Sequence, residues 1–116
     1  MENCIFCKII NGEIPSKKEY EDEDIIVFHD ISPKAPVHLL FVPKKHISSL
    51  IETTKQDVRL LGGIMVKIKS EAQKLGLDKS GYKVVINNGE AAGQLVFHLH
   101  MHLLGGWHEK ERGWKV

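Results

Sequence analysis

The chain has 116 residues, a formal charge of +1, 42% hydrophobic and 27% charged residues. That size predicts one domain over residues 1–116, and the small net charge with ample apolar content excludes general disorder. Near-neutral charge argues against nucleic-acid binding through a basic face, and the longest apolar runs, such as Ile25–Phe28 and Leu39–Val42, fall far short of the roughly 20 residues of a membrane span. Cys4–Ile10 reads as a short helix closed by Asn11-Gly12, with Pro15 as a breaker. Lys17–Tyr20 and Asp24–Asp30 read as two strands joined by an acidic turn. The β-branched and aromatic run Ile25–Phe28 marks the second as buried. Ser32–Pro36 is a loop, and Val37–Val42 is a third strand ending at Pro43.

A long helix is predicted from about Thr54 to Leu75, with Val58, Leu61, Met65, Ile68, Ala72 and Leu75 as its apolar stripe. Thr54 is the expected N-cap and Gly76 the C-terminal stop. Gly62-Gly63 lie mid-helix, where each glycine costs about 1 kcal/mol against alanine. They point to close approach by another backbone, such as a second subunit. Gly81–Asn87 and Val96–Leu104 are the last two strands, joined by the loop Asn88–Gln94. That loop is too short for a crossover helix, so the sheet is read as antiparallel and the fold as α+β. The tail Trp107–Val116 is too short and polar to assign.

The final strand carries the chemistry. Side chains alternate along a strand, so Phe97, Leu99, Met101 and Leu103 share one face, and His98, His100 and His102 the other. The apolar face is expected on the long helix. A row of three imidazoles has no packing rationale, since the rings desolvate poorly and repel when charged. One reading is a metal site, but residues two apart on a strand are separated by roughly 6.6 Å, so all three cannot converge on one ion. The other is nucleophilic catalysis by an imidazole, with its neighbours handling charge and protons. The loop Asn87–Gln94, rich in small residues, lets backbone N–H groups approach an anion, and Asn87 and Gln94 add neutral polar contacts. Beside a histidine row, such a loop suits a phosphate. The pair Cys4-Ile5-Phe6-Cys7 has metal-ligand spacing; free thiols and a redox pair are the alternatives.

The segment His98-Leu99-His100-Met101-His102-Leu103-Leu104 resembles the signature of the histidine triad family, and specifically its Hint branch. Cys4–Ile10, Glu13-Ile14-Pro15, Phe28–Pro33, His38, Pro43–Ile47 and Gly93-Gln94 extend the resemblance over nearly the whole chain. The resemblance implies an antiparallel sheet of about five strands, continued across a homodimer through the long helix. It implies hydrolysis of purine nucleoside 5′-phosphoramidates through a nucleotidyl-histidine. Dinucleoside polyphosphate hydrolysis and a nucleotide-binding regulatory module are the alternatives; Leu103-Leu104, in place of glutamines, favour the first. His100 would be the nucleophile, with His102, His38 and Gln94 in the catalytic set. Asp30 would hold the ribose, Phe6, Ile9, Phe28 and Ile31 the base, and Asn87, Gly93, Gln94 and Leu95 the phosphate end. Leu95 stands where many relatives place serine. Zinc would sit on Cys4, Cys7, His46 and His98. The expected partner is a purine nucleotide or phosphoramidate, with no nucleic acid and no membrane. No signal peptide is read at the start, which places the chain in the cytoplasm.

Overall fold

The computed structural model describes residues 3–108; most of the unassigned tail 107–116 lies outside them. Helix α1 (Ile5–Ile10) comes first, then strands β1 (Lys18–Glu21), β2 (Ile25–His29) and β3 (Val37–Pro43). Helix α2 (Val58–Lys74), a one-turn helix α3 (Leu77–Ser80), β4 (Tyr82–Val85) and β5 (Met101–Gly105) follow. The five strands form one antiparallel sheet in the order β1-β2-β3-β5-β4. The expected α+β fold is therefore present. No helix among the described residues is long and apolar enough to cross a membrane.

Strand alternation sorts the core into two layers. Val27, Leu39, Phe41, Met101 and Leu103 face α2, where they meet Ile64, Ile68 and Ala72. Ile26, Phe28, Leu40 and Val42 face the opposite way and lie under Phe6 of α1. A six-residue helix has little intrinsic stability. This one is held by its buried Phe6 and by Cys4, whose Sγ accepts the backbone N–H of Cys7 at 3.3 Å.

Two expectations about the long helix need correction. The α2 stripe runs through Ile64, Ile68 and Ala72, while Val58 and Met65 are exposed. Ile68 and Ala72 of the expected stripe lie in that seam and Leu61 packs against it, so the expectation errs only in taking Val58, Met65 and Leu75 and omitting Ile64. Thr54 does begin a capping box, with its hydroxyl accepting from Gln56 and its N–H donating to Asp57, but it caps a single 3-10 turn before α2. Gly76 follows α2 at φ +74°, a left-handed position that glycine adopts freely, and the chain then enters α3, which periodicity did not show. Gly62 and Gly63 are exposed, and a Cβ on either would meet nothing within 4 Å. Nothing among the described residues requires glycine there.

Candidate active site

β3 and β5 place the first two imidazoles. His38 pairs with Leu104 and Leu40 with His102, so His38 and His102 are diagonal neighbours on the α1 side of the sheet. The expected strand Val96–Leu104 begins only at Met101. The residues before it form an irregular segment that bends at Val96–His98 and is anchored by Leu99 N–H to the carbonyl of Ile47 at 2.6 Å. His98, Leu99 and His100 are buried there, whereas Phe97, expected on the helix-facing side, is 49% exposed. Pairing to β3 stops at Phe41–Met101, and without a ladder the two-residue alternation lapses. The imidazoles still form a continuous row. The His100 ring centroid lies 4.9 Å from that of His102, which lies 5.1 Å from that of His38.

Backbone groups fix each tautomer. His100 Nδ1–H donates to the carbonyl of His98 at 2.7 Å, which leaves the Nε2 lone pair free. His38 Nδ1 accepts the backbone N–H of Lys34 at 3.0 Å, so its proton sits on Nε2 and is donated to His102 Nδ1 at 2.9 Å. The His102 proton is therefore on Nε2, a buried atom with no partner among the described residues. The chain of donors runs from a main-chain amide through two rings and ends, unpaired among the described residues, on the ring whose centroid lies 4.9 Å from that of His100. Burial favours the neutral rings: it lowers the pKa of His38 and His100, and, together with the repulsion that a charged His102 would meet from His100 and His38 in their protonated forms, it brings His102 down to about 4.

The row opens on a cavity of about 820 Å³ lined by His38, His100 and His102. Phe6, Ile9, Phe28 and Ile31 form apolar walls, and Asp30 is the one carboxylate among its described lining residues. Asn87, Gly93 and Leu95 border it as well. Gly93 has φ +94°, which lets the loop turn toward the histidine segment. Gln94 is a departure. It does not line the cavity and is 2% exposed. Its Oε1 accepts from Gly89 N–H at 2.9 Å, and its Nε2 donates to the carbonyls of Ser48 and Val96 at 2.7 and 3.0 Å. All its bonds are to backbone, so it shapes the loop and does not face the cavity. Lys34 lines the cavity and was missed by the sequence reading, although its place four residues before His38 was a usable signal.

A second cluster lies behind the row. Cys4 Sγ, Cys7 Sγ and one ring nitrogen each of His46 and His98 all lie within 4.8 Å of one another. His98 Nε2–H donates to the carbonyl of Pro43 at 2.7 Å, which turns the Nδ1 lone pair toward the two sulfurs at 3.4 and 3.6 Å. His46 Nδ1 lies 3.3 Å from Cys7 Sγ. Two thiolates and two neutral imidazoles are a tetrahedral zinc set, and the backbone-fixed tautomer of His98 is the one a metal requires. Burial raises the pKa of the Cys7 thiol, the direction a bound cation would reverse. Asp30, His38 and His102 also lie within 4.8 Å of one another, but they do not fit a cation. The amide of Lys34 occupies His38 Nδ1, so the nitrogen facing the cluster carries a proton.

A family model described as scavenger mRNA decapping enzyme C-term binding matches residues 3–115. Protein HitA from Neisseria gonorrhoeae is 48% identical over 105 residues, covering 90% of this chain and 97% of that protein. The chain belongs to the histidine triad family. A HIT family hydrolase from Clostridium thermocellum superposes with a TM-score of 0.92 at 46% identity, covering 100% of this chain and 98% of that one. At the family level the chain is thus placed among hydrolases. A zinc-bound histidine triad protein from Mycobacterium smegmatis superposes at 0.81 with 32% identity, covering 98% and 82% of the two chains.

Proposed function

We propose that this histidine triad protein hydrolyses purine nucleoside 5′-phosphoramidates, with His100 as the nucleophile. The observation that carries the reading is the bond from His100 Nδ1–H to the carbonyl of His98, which leaves Nε2 unprotonated at the wall of a cavity large enough for a nucleotide. Attack by Nε2 on the α-phosphorus gives a nucleotidyl-imidazolium whose Nδ1–H keeps its carbonyl partner. The unpaired Nε2–H of His102 meets the phosphoryl group or the departing amine. Asp30 takes the ribose hydroxyls, and Phe6, Ile9, Phe28 and Ile31 enclose the base. Water then releases the nucleotide.

Cys4, Cys7, His46 and His98 are proposed to hold zinc in a structural role. The ion would stiffen the segment that carries His100, two residues from His98. A homodimer is proposed through α2, where Gly62 and Gly63 stand exposed beside Met65 and Val66. In that arrangement Gly63→Arg yields monomer on a sizing column.

Mass spectrometry of enzyme quenched with an adenosine 5′-phosphoramidate tests the reaction. A nucleotidyl adduct on His100, with turnover abolished in His100→Asn, is the expected result. Turnover unchanged in that variant overturns it.

A further inference from the structure

His38 Nε2–H has two acceptors in reach: His102 Nδ1 at 2.9 Å and Asp30 Oδ2 at 3.6 Å. Asp30 is itself fixed. Its Oδ1 accepts from Ser32 N–H at 2.7 Å, and its own N–H donates to the carbonyl of His38 at 3.0 Å. In this arrangement both rings are neutral, and a neutral imidazole donates hydrogen bonds but is a very weak acid. Cleavage of a P–N bond places a proton on the departing nitrogen. For His102 to supply it and end neutral, the ring must first hold two protons. The second enters at Nδ1, the atom that now accepts from His38. Two N–H groups cannot face each other across 2.9 Å, so His38 must turn its proton elsewhere. Its other nitrogen is closed by the amide of Lys34.

We propose that Asp30 is the switching partner of this relay: when an anionic phosphoryl group enters the cavity, His102 takes up one proton at Nδ1 while His38 redirects its Nε2–H to the Asp30 carboxylate. The proposal rests on the reading of the cavity as a nucleotide site. Asp30 acts here through His38, as a positioning residue and counter-ion. The charges facing His102 support this. His100, His38 and Lys34 oppose its protonation, and Asp30 alone favours it. A phosphoryl oxygen adds a second negative charge on the open side of the ring. In the cleavage step, His100 Nε2 bonds to phosphorus, the P–N electron pair leaves on nitrogen, and the Nε2 proton of His102 joins that nitrogen. His102 retains its Nδ1 proton. Its freed Nε2 lone pair then accepts a proton from the water that attacks the nucleotidyl-histidine, which restores the charged ring for proton return to solvent on product release.

The probe is adenosine 5′-(methyl phosphate), which carries one fixed negative charge, has no group titrating near neutrality and holds a leaving group that resists cleavage. Nitrogen-15 spectra of the histidine rings and calorimetric proton uptake are recorded at about pH 6 for the wild type and Asp30→Asn. In the wild type, His102 is expected to pass from the neutral Nε2–H tautomer to imidazolium, with uptake of about one proton per ligand bound. In Asp30→Asn, uptake per bound ligand falls to less than about half. A His102 ring that stays neutral in the wild-type complex overturns the proposal without any variant. Equal uptake in the two proteins also overturns it. Failure of the probe to bind overturns the nucleotide reading and this one together. Uptake as expected, but no turnover of phosphoramidate, leaves the switch standing and removes only the proposed reaction.

Discussion

His98 serves His100 with its backbone and faces the two cysteines with its ring. The carbonyl accepts the Nδ1–H of His100 at 2.7 Å, while the ring turns its own lone pair toward Cys4 and Cys7. Rotation of the His98 backbone would release the tautomer of His100, the proposed nucleophile, and disperse the sulfur-nitrogen cluster in one movement.

Metal removal follows from that link. Chelation of protein purified without chelator is expected to lower the melting temperature by about 5 °C or more, since a structural zinc contributes to folding free energy directly. Cys7→Ser protein is expected to melt low and to ignore the chelator. Scanning fluorimetry reads both, and equal melting of treated and untreated wild type would remove the zinc site.

The buried imidazoles make stability depend on pH. His38 and His102 have folded pKa values below the ordinary histidine range, His102 at about 4. Between that value and about 6.5 the unfolded chain binds more protons than the native one, so stability rises with pH across this window and levels off above it. Urea midpoints at pH 7 and pH 5 should show the loss. His102→Phe should flatten part of the slope.

Gln94→Leu leaves the N–H of Gly89 and the carbonyls of Ser48 and Val96 without their side-chain partner. The expected cost is about 1–3 kcal/mol. Amide exchange at Gly89 should accelerate, because its donor loses its acceptor. A Gln94 that contacts substrate would instead reduce affinity with exchange unchanged.

Ile64→Ala empties a position with 0% exposure between α2 and the sheet, at an expected cost of about 2–5 kcal/mol. Lys69→Ala on the exposed side should stay within about 0.5 kcal/mol of wild type. Denaturant unfolding separates the two, and near-equal midpoints would refute the assigned seam.

The approximate strand positions, the buried run Ile25–Phe28 and the clustering of His100 and His102 were legible because they rest on alternation and on turn residues. The start of β5 was not. Alternation continues through Val96–His100 in the sequence, but the segment has no ladder partner beyond Met101, and pairing is a long-range fact. The α2 seam was legible only in part: Ile68 and Ala72 lie in it as expected, but two apolar sides compete for the remaining positions, and only the sheet decides between them. Gln94 looked like a ligand contact because an amide in a small-residue loop serves a phosphate and a carbonyl equally well. The relay itself was half legible. His38 could be named from the resemblance, but its tautomer depends on the Lys34 amide, which no residue identity encodes.

Phe6 sits edge-on to both His98 and His100, at centroid distances of 6.0 and 5.0 Å, on the same turn of α1 as Cys7. One short helix thus forms part of the apolar cavity wall proposed to hold the base and part of the Cys4-Cys7-His46-His98 cluster. Substitutions that retune which base fits will therefore be screened by what that cluster tolerates, so altered base preference in variants of this scaffold should arise more readily through Ile31, on the loop after β2, than through residues of α1.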